Sequence, residues 1–261
     1  MFDYHMHTVV SFDGHGLPEE MVRAAVDKGL KEICFTDHVD DDPMGIVLDQ
    51  RFTIEDYNAA YDHLYAPGLK IRRGMEFGLL PDNQNSLRDY LSKRQFDFVL
   101  GSIHYADNVD VYYQEYWQGK SQHQAERKYL EDMLTCVKVH DDFDVLGHLT
   151  YISKARANPT HRIVPLDDHR QIVEEIMKVL ISKGKGMEVN SSGVDRCGDF
   201  LPGEEYLRLF KQLGGEIVTV GSDAHSPDRV GQHCGRACEM LKDIFGYVCT
   251  FEARKPIFHK L

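Results

Sequence analysis

The stretch FDYHMH, residues 2–7, decides how the chain is read. It is strand-like, and period-two alternation puts His5 and His7 on one face of that strand. Working outward, similar short runs recur along the chain. They are KEICFTDH (31–38), KIRRGMEFG (70–78), FDFVLGSIH (96–104), FDVLGHLT (143–150), KGMEVNSS (185–192) and EIVTVGSDAH (216–225). Helical stretches lie between them, with apolar residues at three- and four-residue spacing and acids near their starts. Residues 18–29 open with a proline and close on a glycine, a helix start and stop. Residues 121–140, 165–184 and 203–215 are further helices. Strands alternating with helices imply a parallel sheet covered on both sides. A closed or nearly closed barrel suits the length, and seven runs make it an incomplete version of the eightfold α/β design. Connections at 40–52 and 105–120 carry few periodic apolar positions and read as loops over the barrel mouth.

The bulk numbers exclude several classes. The 261 residues carry a net charge of -12, which argues against a polynucleotide surface. No basic segment followed by an apolar run marks a secretory signal, and no stretch is long enough to span a membrane. The six cysteines are scattered without a C-x-x-C pair, as in a reduced, cytoplasmic protein. Cys234 and Cys238 share helical spacing and read as packing residues.

The strongest signal is where metal-ligating residues fall. His5 and His7 end the first run, Asp37 and His38 the second, and Glu76 lies near the end of the third. His104 ends the fourth, His148 the fifth, and Asp223 with His225 the seventh. Taken singly, each has an ordinary explanation: a capping histidine, half of a buried ion pair, a turn. Taken jointly, such residues at six of seven strand ends have no such explanation. The ends of parallel strands converge on one crevice. Imidazole and carboxylate suit zinc, manganese, iron and similar ions. This set exceeds what one catalytic ion binds, so more than one ion is implied, with a carboxylate between neighbours. Such a centre activates water and clamps phosphoryl oxygens, which points to hydrolysis. His63, His123, His140, His161, His169, His233 and His259 lie mostly on helices or loops and read as surface or packing residues.

In these motifs, HMH, TDH, GME, GSIH, GHL and SDAH in that order, the chain resembles the PHP (polymerase and histidinol phosphatase) family. The likeness runs from His5 to His225 and is greatest to the stand-alone histidinol-phosphate phosphatases. It implies a distorted (β/α)7 barrel, residues 1–261 as a single PHP-type domain, and three divalent ions (zinc, manganese, iron or cobalt) at the C-terminal mouth of the strands. By resemblance one ion takes His5, His7, Glu76 and Asp223, and a second takes Glu76, His104 and His148. The third takes His15, His38 and His225, although SFDGHG around His15 reads as a turn on its own. Asp37 is expected behind the ligands, orienting His38 or its neighbours.

The implied reaction is hydrolysis of L-histidinol phosphate to L-histidinol and phosphate in histidine biosynthesis. A hydroxide shared by two metals attacks phosphorus directly, since no phosphoenzyme signature is present. Glu76 as the bridge, with Asp223 and His225 beside the leaving oxygen, are the catalytic candidates. Arg156 and Arg196, after the fifth and sixth strands, are the candidate phosphate-binding residues. The sixth strand end carries no metal ligand in this reading. Glu115 or Asp110, in the loop after His104, offers a carboxylate to a substrate amine, unless that loop is only a packed lid. Rival readings are a PHP phosphoesterase for a nucleotide, sugar phosphate or phosphotyrosyl protein, a non-catalytic metal-binding module, and a metal-dependent amidohydrolase. The expected partner is a small phosphomonoester, with neither nucleic acid nor membrane.

Overall fold

The computed structural model describes residues 1–43 and 50–261. Strands β1 (Phe2–Asp3), β2 (Glu32–Phe35), β3 (Lys70–Gly78), β4 (Phe98–Ser102), β5 (Val145–Leu146), β6 (Gly186–Asn190) and β7 (Val218–Gly221) pair in sequence order, all parallel. They correspond one for one to the runs read from the sequence. The chain just after β1 closes the ring onto β7. Tyr4 N–H donates to the Val220 carbonyl, Asp223 N–H to that of His5, and His7 N–H to that of Ala224, each at 2.8 Å. The first and last ligand-bearing segments thereby become neighbours. A short extension, His38–Val39, pairs with β3 in a register that sets His38 opposite Glu76.

Helices α1 (Pro18–Asp27), α2 (Ile54–Tyr61), α3 (Gln84–Lys93), α4 (Gln122–Val139), α5 (Leu166–Ser182), α6 (Glu204–Gln212) and α7 (Cys234–Ile244) accompany the sheet. The four helices expected from periodicity are α1, α4, α5 and α6. Helix α4 starts with reciprocal bonds between Ser121 and Gln124 (2.8 and 3.3 Å), which satisfy two free backbone donors. Of the others, α3 buries Leu87 and packs Tyr90 and Leu91 against the core, and α7 buries Cys234, Ala237, Cys238, Leu241 and Ile244. Among the described residues, no helix is long and apolar enough to cross a membrane.

The N-terminal end of the barrel is sealed by an element without a strong sequence signal, the antiparallel hairpin β8 (Tyr247–Glu252) and β9 (Lys255–Lys260). Phe251 packs on Phe98 with ring centroids 4.9 Å apart, and both join Tyr4, Cys34, Leu100 and Val145 in a buried cluster. The Tyr4 hydroxyl donates to Glu32 at 2.6 Å and accepts from the Phe251 N–H at 3.0 Å. At the other end, residues 105–120 form a small hairpin and a short helix (Gln114–Trp117) rather than an open loop. Trp117 donates to the Val111 carbonyl at 2.9 Å, and Tyr116 is fully buried. Of the other expected loop, 40–52, residues 44–49 lie outside the described residues.

Candidate metal centre

The mouth of the barrel gathers side chains from β3 and from the segments after most of the strands. Their donor atoms face one another. His5 Nε2 and His7 Nε2 are 3.0 Å apart. Both face Asp223 Oδ1 (3.5 and 3.3 Å) and Glu76 Oε2 (3.3 and 3.5 Å). His38 Nδ1 lies 3.1 Å from the same Glu76 oxygen. The other oxygen, Oε1, meets His148 Nε2 at 2.8 Å and His104 Nε2 at 3.3 Å and accepts from the Ser102 hydroxyl at 2.6 Å. Glu76 thus stands at the centre of the cluster.

Close backbone contacts hold these groups. Asp223 has φ of +55°, a left-handed conformation costly for most residues but tolerated by aspartate. At Gly221 an added Cβ would lie 2.3 Å from Glu188 Oε1 and 2.3 Å from His5 Cβ; at Gly78 it would lie 1.8 Å from Asp40 Oδ1. Only glycine leaves room for these carboxylates.

Electrostatics bind the cluster together. Burial opposes ionisation of Glu76, but the charges of His5, His38 and His104 outweigh it and hold the carboxyl well below its usual range. Burial likewise opposes charging of His104, yet Asp40 and Glu76 push it up to about 10. His7 goes the other way: burial, then the like charges of His225 and His38, pull it down to about 3. Asp223 lies well below the usual range because Lys154 and His5 overcome the burial penalty.

Four sets of ligand atoms each lie within 4.8 Å of one another: His5, His7 and Asp223; His5, Glu76 and His148; His7, His38 and His225; and His38, Asp40 and His104. Glu76 Oε2 tests whether a cation suits them. It is fully buried, surrounded by imidazole nitrogens, and makes no hydrogen bond. Buried polar atoms are otherwise almost always paired. The cluster has the donor set and convergence that a divalent cation requires.

Of the residues expected to be ligands, His5, His7, His38, Glu76, His104, His148, Asp223 and His225 meet here. His15 does not. Its N–H donates to the His225 carbonyl at 2.8 Å, but its side chain is exposed and outside the ligand sets. Beside His225 and His38 lies Asp13 instead, with Oδ2 3.1 Å from His225 Nε2 and 3.6 Å from His38 Nε2, and with Oδ1 buried and unpartnered. Arg156 and Arg196 are exposed, and Arg196 turns toward Tyr112, donating to its hydroxyl at 3.3 Å. Asp37 acts through Ser11: it accepts from the Ser11 hydroxyl at 2.9 Å, while that oxygen lies 3.2 Å from His7 Nδ1 and accepts from His38 N–H at 2.9 Å.

Three carboxylates were missed by sequence reasoning: Asp13, Asp40 and Glu188. Asp40 lies 3.1 Å from His104 Nδ1 and 3.3 Å from His38 Nδ1. Glu188, on the sixth strand, belongs to none of the four ligand sets but touches residues that do. Its Oε1 is 2.7 Å from His5 Nδ1, which orients that imidazole, and its Oε2 accepts from the backbone N–H of His148 at 2.8 Å, which pins the chain that carries the second histidine. A signal was present, since Glu188 is a charged residue inside an apolar strand.

Residues 3–192 match the PHP domain. The chain belongs to the PHP family. Among PHP relatives, the histidinol-phosphatase of Lactococcus lactis is 31% identical over 259 residues, covering 97% of this chain and 95% of that one. A Clostridium acetobutylicum protein named as a probable histidinol-phosphatase is 27% identical, covering 99% and 96%. The crystal structure of the Lactococcus lactis histidinol phosphate phosphatase, complexed with zinc, L-histidinol and phosphate, superposes with a TM-score of 0.87 at 28% identity, covering 98% of each chain. The distorted (β/α)7 barrel that the family resemblance implied is therefore the fold of this chain.

Proposed function

We propose that the protein is a metal-dependent histidinol-phosphatase, converting L-histidinol phosphate and water to L-histidinol and phosphate in histidine biosynthesis. The observation that carries this reading is the buried, unbonded Glu76 oxygen ringed by imidazoles. The Lactococcus lactis relative, similar over nearly the full length, supports the substrate. Three divalent ions fit the donor set, with zinc favoured by that relative's crystal structure. One would be held by His5, His7, Glu76 and Asp223, and a second by Glu76, His104 and His148. A third would be held by His38 and His225, with Asp13 in the place first given to His15.

When bound, the metals activate water and neutralise phosphate oxygens. The remaining work falls to the chain's own residues. Glu188 turns the His5 ring and the Asp37–Ser11 pair the His7 ring so that each Nε2 faces the centre, and Ser11 also accepts from the backbone N–H of His38. Glu76 holds the cluster together. Half-buried Asp110, its carboxyl pushed up to about 6 by burial, borders the mouth as a partner for the substrate's amine. Arg156 and Arg196 stand at the rim as outer phosphate contacts. Residues 1–261 serve as one PHP-type unit, because the hairpin beyond the matched region closes the barrel floor. The unpaired cysteines suit the reducing cytoplasm.

The test is phosphate release from histidinol phosphate, p-nitrophenyl phosphate and nucleoside monophosphates, with metal analysis of the same sample. Selectivity of orders of magnitude for histidinol phosphate is expected. Equal weak turnover of all three would transfer the site to another phosphomonoester, and metal without turnover would leave a binding module.

A further inference from the structure

The cluster is rich in negative charge. Asp13, Asp40, Glu76, Glu188 and Asp223 surround it, and bound cations are partly spent in neutralising them. A dianionic phosphate ester gains from a cation belonging to the protein, yet Arg156 and Arg196 are exposed, and Arg196 donates to the Tyr112 hydroxyl. Among the described residues, the lysine or arginine side chain that touches the cluster is Lys154. It lies on the short turn Tyr151–Lys154, just after the segment bearing His148.

Its surroundings are those of a prepared site. The ammonium contacts the Asp223 carboxylate through Oδ2, the oxygen turned away from His5 and His7, and donates to the Ser192 hydroxyl at 2.9 Å. It sits 5.2 Å from the centroid of the Tyr151 ring, which packs at 4.7 Å on His148 and 5.3 Å on His104. With 16% of its side chain exposed, it is screened from solvent but still accessible. Ser192 and Asp223, the two residues it grips, also wall a cavity of about 230 Å³ that reaches His225. The cavity is of a size for a small polar molecule; Arg229 lines its exposed side, paired with Asp195, and Lys154 lies behind Ser192 and Asp223, its two partners in the wall.

We propose that Lys154 is the protein cation that binds the phosphate group of the substrate at the metal centre. This rests on the phosphatase reading. It assigns the inner contact to a lysine and leaves the two rim arginines in outer positions. An ammonium has three donors and no acceptor, so it serves Asp223, Ser192 and a phosphate oxygen together. Its charge makes the last bond stronger than a neutral one.

The experiment compares wild type with Lys154→Gln and Lys154→Arg as zinc-loaded protein. Inorganic phosphate binding is measured by calorimetry, metal content by elemental analysis, and KM and kcat with histidinol phosphate. Lys154→Gln is expected to weaken phosphate binding roughly tenfold or more and to raise KM in parallel, with full metal content. Lys154→Arg is expected to recover most of the phosphate affinity. Unchanged phosphate affinity in Lys154→Gln would overturn the proposal. So would loss of metal in step with loss of affinity, because Lys154 would then serve only to hold Asp223. Phosphate binding is read without turnover, so a wild type inactive on histidinol phosphate would sink the substrate reading while leaving this test intact.

Discussion

Replacing Asp13 by asparagine is expected to strip metal from one end of the centre, whereas replacing His15 by alanine is not. Asp13 Oδ2 lies 3.1 Å from His225 Nε2 and 3.6 Å from His38 Nε2. One unit charge lost at 3.1 Å is worth about 5 kcal/mol at an effective dielectric of 20. Asp13 is 37% and His225 30% exposed in the side chain, so solvent screening cuts this to roughly 2 kcal/mol. That corresponds to about 30-fold weaker retention of a cation. His15 is exposed and outside the ligand sets, so its replacement should stay within about 0.5 kcal/mol, less than threefold. The assay is dialysis against graded chelator, followed by metal analysis and kcat/KM. Loss of metal from His15→Ala with retention by Asp13→Asn would refute the exchange of these two residues.

Glu76→Gln should lower activity by roughly a thousandfold or more and empty much of the centre without unfolding the chain, as metal analysis and circular dichroism would show; full metal occupancy would contradict its central place. Exhaustive chelation should abolish turnover and lower Tm, with both restored by zinc, because metal binding to the folded state stabilises it by mass action. Phe251→Ala should cost about 3–5 kcal/mol by opening the barrel floor, a Tm drop of roughly 10 °C with metal content unchanged. His140 is buried, lies 2.8 Å from the Leu80 carbonyl, and is lowered from 6.5 by burial. Its folded pKa is depressed, so its contribution is present above pH 6.5 and is lost as pH falls through the folded value. His140→Gln should flatten the acid side of the Tm profile relative to wild type; identical profiles would exclude this residue as a source of acid lability.

Much of the barrel was legible because parallel strands and amphipathic helices leave local patterns. The first run shows why: alternation in FDYHMH puts His5 and His7 on one side, and their Nε2 atoms do meet at 3.0 Å. The floor was less legible. The chain 247–260 forms a hairpin whose turn places Ala253 and Arg254 at positive φ, without the glycine or asparagine that marks such turns. Its conformation is supported by distant partners, among them the Asp97 carbonyl, which accepts from Arg254 N–H at 2.9 Å.

In the metal centre, the sequence by itself determined which residue types end the strands, and so the chemistry they could share. Only the tertiary structure decided which neighbouring groups join them. Asp13 and His15 are two residues apart in one turn, and the return of the chain past His225 and His38 turns the aspartate inward and leaves the imidazole outside. Glu188 reaches His5 because barrel closure joins the first segment to β7, which lies beside β6. Lys154 reaches Asp223 across 69 positions of chain. Side-chain alternation is a local property of the backbone. The approach of charges remote in sequence depends on ring closure, register and turn geometry, which no short window of residues contains.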